Sequence, residues 1–185
     1  MNKSSHRADN PANLKSNYSD ASLKALPFVR IYTDGSSRGN PGPGGWGCVL
    51  EFDMSNGEIK TKELSAGFER TTNNRMEIRA ALEGLRALTM PCKVDLYSDS
   101  SYLVNAFKQD WIVSWKKNGW KTSSKKPVKN KDLWLELDEL LQIHQVSWHW
   151  VQGHAGHPQN ERCDQLATSA ADDIPNRQVD EGFLE

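Results

Sequence analysis

The sequence predicts an α/β fold in which a five-stranded mixed sheet, with three antiparallel strands followed by parallel strands, is flanked by helices. Three β-branched segments follow one another through short connections, which favours an antiparallel meander. Strands then alternate with amphipathic helices, which favours parallel crossovers. At 185 residues the chain has the length of one domain with tails.

The first three strands surround a turn-rich segment. Residues 27–34 alternate between apolar and polar side chains, so we expect a strand that ends at Asp34. Residues 35–45 are rich in glycine and proline and indicate a loop. The second and third strands are predicted over 46–52 and 60–67.

Helices and strands alternate in the remainder of the chain. A helix over 71–90 has apolar residues at helical spacing, a threonine that can cap it and Pro91 after its end. A strand over 93–99 follows directly, so it should pair in parallel with the first strand. The other predicted elements are helices over 100–107, 132–144 and 160–171 and a strand over 146–151.

Composition divides the chain into three parts. Residues 1–26 are polar and lack periodicity, which indicates a disordered N-terminal extension without the apolar core of a secretory signal. Residues 27–172 form the predicted folded domain. Residues 173–185 are acidic and are expected to be a disordered tail.

The bulk properties indicate a soluble cytoplasmic protein, which we expect to be monomeric. No apolar run reaches membrane-spanning length, so no membrane partner is expected. The net charge of −1 does not by itself imply a polyanionic partner. Cys48, Cys92 and Cys163 form no CxxC pair, which argues against a disulfide framework and for a reducing compartment.

Four carboxylates stand at the ends or on the inner sides of predicted elements. They are Asp34, Glu77, Asp99 and Asp164. Each alone could be a turn residue, a helix cap or a partner of a helix dipole. If all four converge, they repel one another unless a cation lies among them, and hard divalent ions favour carboxylate oxygens. Two such ions can activate a water and stabilise the leaving oxygen of a phosphodiester.

A glycine-rich loop before the last helix carries His154. A histidine there can move protons or help product leave, because its ordinary pKa of about 6.5 suits proton transfer near neutrality. The alternative is a loop histidine with no role. A zinc site is a weaker alternative, because no cysteine pairs with this segment.

A basic handle extends over residues 108–131, which contain eight lysines and a single acidic residue, Asp110. Lysines with interleaved tryptophans are typical of a surface that binds a phosphate backbone. The alternative is a solvated helical face with structural tryptophans. Trp134, Trp148 and Trp150 are assigned to the core instead. The candidate contacts of the handle are Trp111, Trp115, Lys116, Lys117, Trp120 and Lys121.

Neutral hydrogen-bonding side chains form a second candidate surface. They are Asn40, in the first loop, and Thr72, Asn73 and Asn74, at the start of the predicted helix. Such groups can recognise a 2′-hydroxyl, which distinguishes RNA from DNA. Helix capping alone would also explain Thr72 and Asn73.

Several long motifs in order resemble the bacterial type of the ribonuclease HI family. They are TDGSSRGNPGPGGWG, TTNNRMEIRAAL, YSDSSY, WKKNGWK, KPVKNKDLW and GHAGHPQNERCDQLA, between Phe28 and Ala171. The resemblance implies a ribonuclease H-like fold, with 27–172 as the catalytic domain. It implies endonucleolytic cleavage of the RNA strand of RNA–DNA hybrids, leaving 3′-hydroxyl and 5′-phosphate ends, with Mg²⁺ or Mn²⁺ as cofactor.

The resemblance also implies roles for individual residues. Asp34, Glu77, Asp99 and Asp164 would be the catalytic metal ligands, and His154 the histidine of the catalytic loop. The asparagines and Thr72 named above would contact RNA, and the handle would hold the DNA strand. Two alternatives remain open at this point, a different nuclease on the same architecture and a hybrid-binding module without catalysis.

Overall fold

The computed structural model describes residues 26–153 and 156–183. The strands are β1 (Phe28–Ser37), β2 (Gly42–Asp53), β3 (Ile59–Thr71), β4 (Lys93–Ser98) and β5 (Gln145–Trp150). The helices are α1 (Asn73–Arg86), α2 (Ser101–Lys108), α3 (Trp111–Lys117), α4 (Lys131–Leu141) and α5 (Pro158–Asp172), followed by a short 3-10 helix (Ile174–Asn176).

The predicted five-stranded mixed sheet is confirmed, with the strand order β3-β2-β1-β4-β5. β2 pairs antiparallel with β1 and with β3. β4 pairs parallel with β1 and with β5. Because β1 and β4 are parallel neighbours, their carboxyl ends meet at one edge of the sheet, the place where ligands collect in open α/β sheets.

The first strand is longer than predicted, and the loop after it is shorter. β1 continues past Asp34 to Ser37, because residues 35–37 keep pairing with β2, where Gly35 faces Trp46 and Ser37 faces Gly44. Glycine and proline therefore do not mark a loop over all of 35–45. Glycine in β2 serves close packing instead of a turn.

A helix covers each face of the sheet. α1 packs on the face that carries Ile31, where an added Cβ at Gly84 would lie 2.9 Å from the Ile31 side chain. α5 packs on the opposite face, where an added Cβ at Gly47 would lie 2.5 Å from the carbonyl oxygen of Cys163. Real Cβ atoms do not approach so closely, so these glycines let the helices approach the strands.

The expectation of a disordered tail over 173–185 is wrong for its described part, residues 173–183. Gln178 hydrogen-bonds to the backbone of β3, its N–H donating to Gly67 at 2.8 Å. Asp180 is buried, and Arg75 Nε donates to its Oδ2 at 2.7 Å. A buried guanidinium on α1 therefore holds this acidic segment in place. Residues 184 and 185 lie outside the described part of the chain.

The predicted N-terminal extension lies outside the described residues, apart from Leu26. Within the described ranges, none of the helices is long and apolar enough to cross a membrane.

Candidate active site

Three carboxylates meet where the parallel pairing of β1 with β4 ends. They are Asp34, Glu77 and Asp99, and each offers an oxygen that lies within 4.8 Å of the oxygens of the other two. We call this group the acidic cluster. Carboxylates packed so closely repel one another, so their convergence points to a bound cation.

Sheet register and a glycine bring the cluster together. Asp34 is paired with Gly47, and its backbone neighbour Thr33 is paired with Ser98 of β4, so Asp99 follows on the adjacent strand. Gly35 allows α1 to enter at this edge, because a Cβ at Gly35 would collide with the backbone nitrogen of Glu77. Asp34 thus supplies a candidate metal ligand, and Gly35 leaves the space that Glu77 needs beside it.

The charge of Asp34 is poorly compensated. Burial, followed by the negative charge of Asp99 and then that of Asp164, raises the pKa of Asp34 to about 7. The backbone N–H of Gly35 donates to Asp34 Oδ1 at 2.7 Å and acts in the opposite direction. Near neutral pH this carboxylate is therefore ready to exchange a proton for a cation.

Glu77 is still more enclosed, with 6% of its surface exposed. Burial and the charges of Asp34 and Asp99 raise the pKa of Glu77 well above its usual value. Its Oε1 accepts from Asn73 Nδ2 at 3.2 Å, whereas its buried Oε2 has no hydrogen-bond partner among the described residues. An orphaned carboxylate oxygen facing other carboxylates fits a hard divalent metal ion.

Asp99 is held by elements on both sides. Asn160 Nδ2 donates to its Oδ2 at 3.3 Å, and Trp150 Nε1 donates to its carbonyl oxygen at 3.0 Å. Gly153 leaves room for the carboxylate, since a Cβ there would lie 2.6 Å from Asp99 Oδ2. These contacts fix Asp99 between the end of β5 and the start of α5.

Asp164 lies beside the acidic cluster but outside the three-carboxylate group. It is half-buried on α5, and its charge contributes to the raised pKa of Asp34. Its helix contacts the sheet face on which Asp34 lies, because Gly47, the partner of Asp34, packs against Cys163. The four predicted ligands therefore occupy one region, with Asp164 at its periphery.

The predicted catalytic-loop histidine, His154, lies outside the described residues. Ala155 also lies outside them, and the nearest described residues are Gly153 and Gly156. Its assigned role stays a prediction.

The predicted RNA-contacting residues lie together at the start of α1. Thr72 caps the helix, its side chain accepting from the backbone N–H of Arg75 at 3.4 Å. Asn40 Oδ1 accepts from the backbone N–H of Asn73 at 3.3 Å. Thr72 and the asparagines Asn40 and Asn74 line a groove of about 920 Å³. Capping thus explains part of this motif, and its polar groups still face a groove.

Charged residues of both signs also line that groove. Lys129 and Lys131, from the end of the handle and the start of α4, are among them. Asp132 and, from the C-terminal segment, Glu181 contribute negative charge.

The handle tryptophans pack on one another and on the core. The Trp111 and Trp115 ring centroids are 6.0 Å apart, and those of Trp115 and Trp120 are 6.3 Å apart. Trp115 also lies 5.7 Å from buried Trp134. These rings have a structural role, and their contact with substrate stays a prediction.

The handle lysines differ in their partners. Lys116 Nζ pairs with Asp138 Oδ2 on α4 at 2.8 Å. Lys117 and Lys121 are exposed and form no ion pair within the described part of the chain. Their charges are therefore available to interact with a phosphate, as are those of the other handle lysines without an ion pair among the described residues.

Sequence reasoning missed two groups that hold Asp99. The prediction that Trp150 lies in the core is wrong, because 52% of its surface is exposed. Its indole N–H donates to the backbone carbonyl oxygen of Asp99. The sequence identifies Asn160 only as a residue that opens the predicted helix over 160–171, without a contact to Asp99. Its position four residues before Asp164 places both on one face of α5, a spacing that could have identified it.

Comparison with known proteins gives consistent matches. The RNase H family model matches residues 27–172. A ribonuclease H of Pseudoalteromonas atlantica is 58% identical over 85% of this chain and 99% of its own length. A ribonuclease H of Hydrogenovibrio crunogenus is 58% identical over 79% of this chain and 97% of its own length.

The solved structures include a similar protein. LC9-RNase H1, described as a type 1 RNase H with the type 2 active-site motif, is 35% identical to this chain, with a TM-score of 0.73. The match covers 86% of this chain and 77% of that one.

Proposed function

The chain belongs to the RNase H family and is an endoribonuclease, and we propose that it cleaves the RNA strand of RNA–DNA hybrids with divalent metal held by Asp34, Glu77, Asp99 and Asp164. The products would carry 3′-hydroxyl and 5′-phosphate ends. The acidic cluster is the observation that carries this proposal, because its oxygens lie within 4.8 Å of one another without a cationic partner among the described residues.

The donor set favours Mg²⁺, with Mn²⁺ able to replace it. All the ligands are carboxylate oxygens, which suit hard cations that keep some of their own water. Two bound divalent ions supply activation of water and charge stabilisation at the departing 3′-oxygen. The orphaned Oε2 of Glu77 supports this assignment, since a buried acceptor without a donor otherwise costs free energy.

The protein's own groups keep these ligands in place. Asn73 orients Glu77, and the backbone N–H of Gly35 orients Asp34. Both donors are neutral, so they fix the carboxylates without cancelling the charge that attracts a metal. Asp164 adds negative charge from α5 at the edge of the cluster.

Substrate would be selected at two surfaces. Asn40, Thr72, Asn73 and Asn74 would contact the RNA strand, and their neutral donors and acceptors suit a 2′-hydroxyl. The handle, with Trp111, Trp115, Lys116, Lys117, Trp120 and Lys121, would hold the DNA strand. His154 would move a proton or assist product release.

We further propose a monomer that works in the cytoplasm. Cys48, Cys92 and Cys163 are buried and free, which suits a reducing compartment. Residues 27–172 would carry the catalytic groups, and the segment that contains Asp180 would stabilise this domain through Arg75.

A cleavage assay tests the proposed function. An RNA–DNA hybrid labelled on the RNA strand is incubated with Mg²⁺, in parallel with a DNA duplex, an RNA duplex and a hybrid reaction containing EDTA. We expect RNA cleavage in the hybrid alone and only with metal. Equal cleavage of the DNA duplex would favour another nuclease of this architecture. Tight binding of the hybrid without cleavage would favour a non-catalytic module.

A further inference from the structure

The buried amide of Asn160 lies next to the acidic cluster. Asn160 is in the first turn of α5, and 3% of its surface is exposed. Its Nδ2 donates to Asp99 Oδ2 at 3.3 Å, and its buried Oδ1 has no hydrogen-bond partner among the described residues. Leaving a buried acceptor unsatisfied destabilises the folded state. A polar side chain kept at such a cost calls for an explanation beyond packing.

Each carboxylate of the acidic cluster receives a neutral N–H donor on one oxygen. Gly35 N–H donates to Asp34 Oδ1 at 2.7 Å, and Asn73 Nδ2 donates to Glu77 Oε1 at 3.2 Å. Asn160 provides the corresponding donor to Asp99. A lysine or arginine in these places would pair with the carboxylate and compete with a metal ion. A neutral amide instead orients the carboxylate and leaves its charge available.

The position of Asn160 on α5 links two parts of the site. Asn160 precedes Asp164 by one helical turn, so both side chains lie on the same face of the helix. Asn160 contacts Asp99 after β4, and the charge of Asp164 acts on Asp34 of β1. The first turn of α5 is thus attached to the acidic cluster. Asp164, the fourth proposed metal ligand, lies one turn further along the same helix.

We propose that Asn160 is a positioning residue that orients the Asp99 carboxylate for metal binding and ties the first turn of α5, with Asp164, to the acidic cluster. This inference rests on the proposed metal-dependent cleavage. Asn160 acts through Asp99 and does not itself contact the scissile bond.

Asn160→Ala and a matched neighbour test this role. Gln159→Ala is the control, because Gln159 is the adjacent residue and its amide also donates to a carboxylate, Glu51 Oε1 at 2.9 Å, which is outside the cluster. Mn²⁺ alone is titrated by calorimetry into wild type and both variants. For Asn160→Ala we expect the dissociation constant to rise about tenfold, and for Gln159→Ala no change.

Kinetics with the hybrid separate positioning from general structural support. At a fixed low Mg²⁺ concentration, Asn160→Ala should lower kcat about tenfold and leave KM for the hybrid within about twofold. Raising Mg²⁺ should recover much of that kcat, because the defect lies in metal affinity. Melting in EDTA checks that each variant is folded. If Asn160→Ala does not fold, Asn160→Ser, which keeps a smaller polar group, should show a weaker loss in the same direction.

The outcomes are distinct. Wild type that binds Mn²⁺ and cleaves hybrid, beside an Asn160→Ala variant with unchanged metal affinity and kcat, overturns the inference alone. The inference is also overturned if Asn160→Ala lowers kcat and added Mg²⁺ does not restore it. Wild type that fails to bind Mn²⁺ overturns the proposed function, and the inference with it.

Discussion

Two buried carboxylate sites lie within a few residues of each other along α1, and they differ in whether a cationic side chain compensates the carboxylate charge. At the first, Arg75 of α1 donates through Nε and Nη2 to the buried Asp180 of the C-terminal segment, at 2.7 and 2.8 Å. At the second, Glu77 of the same helix joins Asp34 and Asp99 without any cationic side chain among the described residues.

The two sites differ in the direction of their pKa shifts. Burial acts to raise the pKa of Asp180, but hydrogen bonds from Arg75 and Thr71 outweigh it and hold that pKa below its usual value. At the acidic cluster burial and like charge act together and raise the pKa of Asp34 to about 7. A buried carboxylate paired within the chain keeps its charge as part of the structure, whereas unpaired buried carboxylates must take up protons or bind an external cation.

Replacement of Asp34 should produce the largest effect on activity. Asp34→Asn removes a metal ligand while keeping the shape of the side chain, so we expect kcat on the hybrid to fall by at least about 10³-fold. Hybrid cleavage with saturating Mg²⁺ measures this. Asp95→Asn is the control, because Asp95 is on β4 but lies beside His149, outside the cluster, and it should keep its turnover. Normal turnover by Asp34→Asn would remove the cluster from the chemistry.

Replacement of Asp180 should produce the largest effect on stability. Asp180→Asn leaves the buried Arg75 without its inner partner, which we expect to lower the free energy of unfolding by about 3 kcal/mol. Urea denaturation in EDTA measures it, and kcat at low temperature should change little.

The exposed pair between Arg38 and Asp172 supplies the control for that measurement. Asp172→Asn should leave the denaturation midpoint unchanged, because exposed ion pairs contribute little. An Asp180→Asn variant that kept its stability but lost turnover would erase the distinction between the two sites.

The pH dependence of stability should distinguish the two sites by its sign. Without metal, Asp34 binds a proton in the folded state up to about pH 7, above its ordinary pKa of 3.8. Its contribution to stability is therefore lost as pH rises through about 7. The contribution of Asp180, whose pKa is lowered, is lost only as pH falls through that lowered value.

Melting in EDTA between about pH 5 and about pH 8 measures this behaviour. We expect the wild-type Tm to fall as pH rises over this range and the slope to be shallower in Asp34→Asn. Mg²⁺ should stabilise the wild type more at the higher pH, because metal and protons compete for the same oxygens. Identical slopes in the two proteins would contradict the raised pKa of Asp34.

The handle should show the smallest effects. Lys117→Ala and Lys121→Ala should each raise KM for the hybrid and reduce the slope of log affinity against log salt by about 1. Lys116→Ala should change the slope less, because Asp138 already neutralises Lys116. KM measured over a range of salt concentrations tests this order. A larger effect of Lys116 would mean that its ion pair opens when substrate binds.

Much of the active site could be predicted from the sequence because local signals determined it. Asp34 and Asp99 directly follow the last paired residues of the parallel strands β1 and β4, Thr33 and Ser98, so strand order brings them together. Glu77 has apolar neighbours on α1, so helical periodicity turned it towards the sheet. Among the described residues the structure places all four predicted carboxylates in one region, with Asp164 farthest out.

The remainder depended on contacts between distant parts of the chain. The sequence around Asp180 gives no sign of its partner, Arg75, which lies 105 positions earlier. The acidic segment is therefore predicted to be disordered. The assignment of Trp150 to the core failed because its exposure and its contact with the Asp99 carbonyl depend on the tertiary fold, which the strand pattern does not show. The donor role of Asn160 likewise appears only when α5 reaches the end of β4.

The effect of Mg²⁺ on the thermal stability of Glu77→Gln tests the central claim most directly. This variant keeps the size of Glu77 but removes its charge from the acidic cluster, as Asp180→Asn does at the other site. We predict that Glu77→Gln melts above wild type in EDTA and that Mg²⁺ no longer raises its Tm, while Mg²⁺ still raises the Tm of wild type and of Asp180→Asn. A Glu77→Gln variant that melts below wild type in EDTA and keeps the full Mg²⁺ shift would contradict the account.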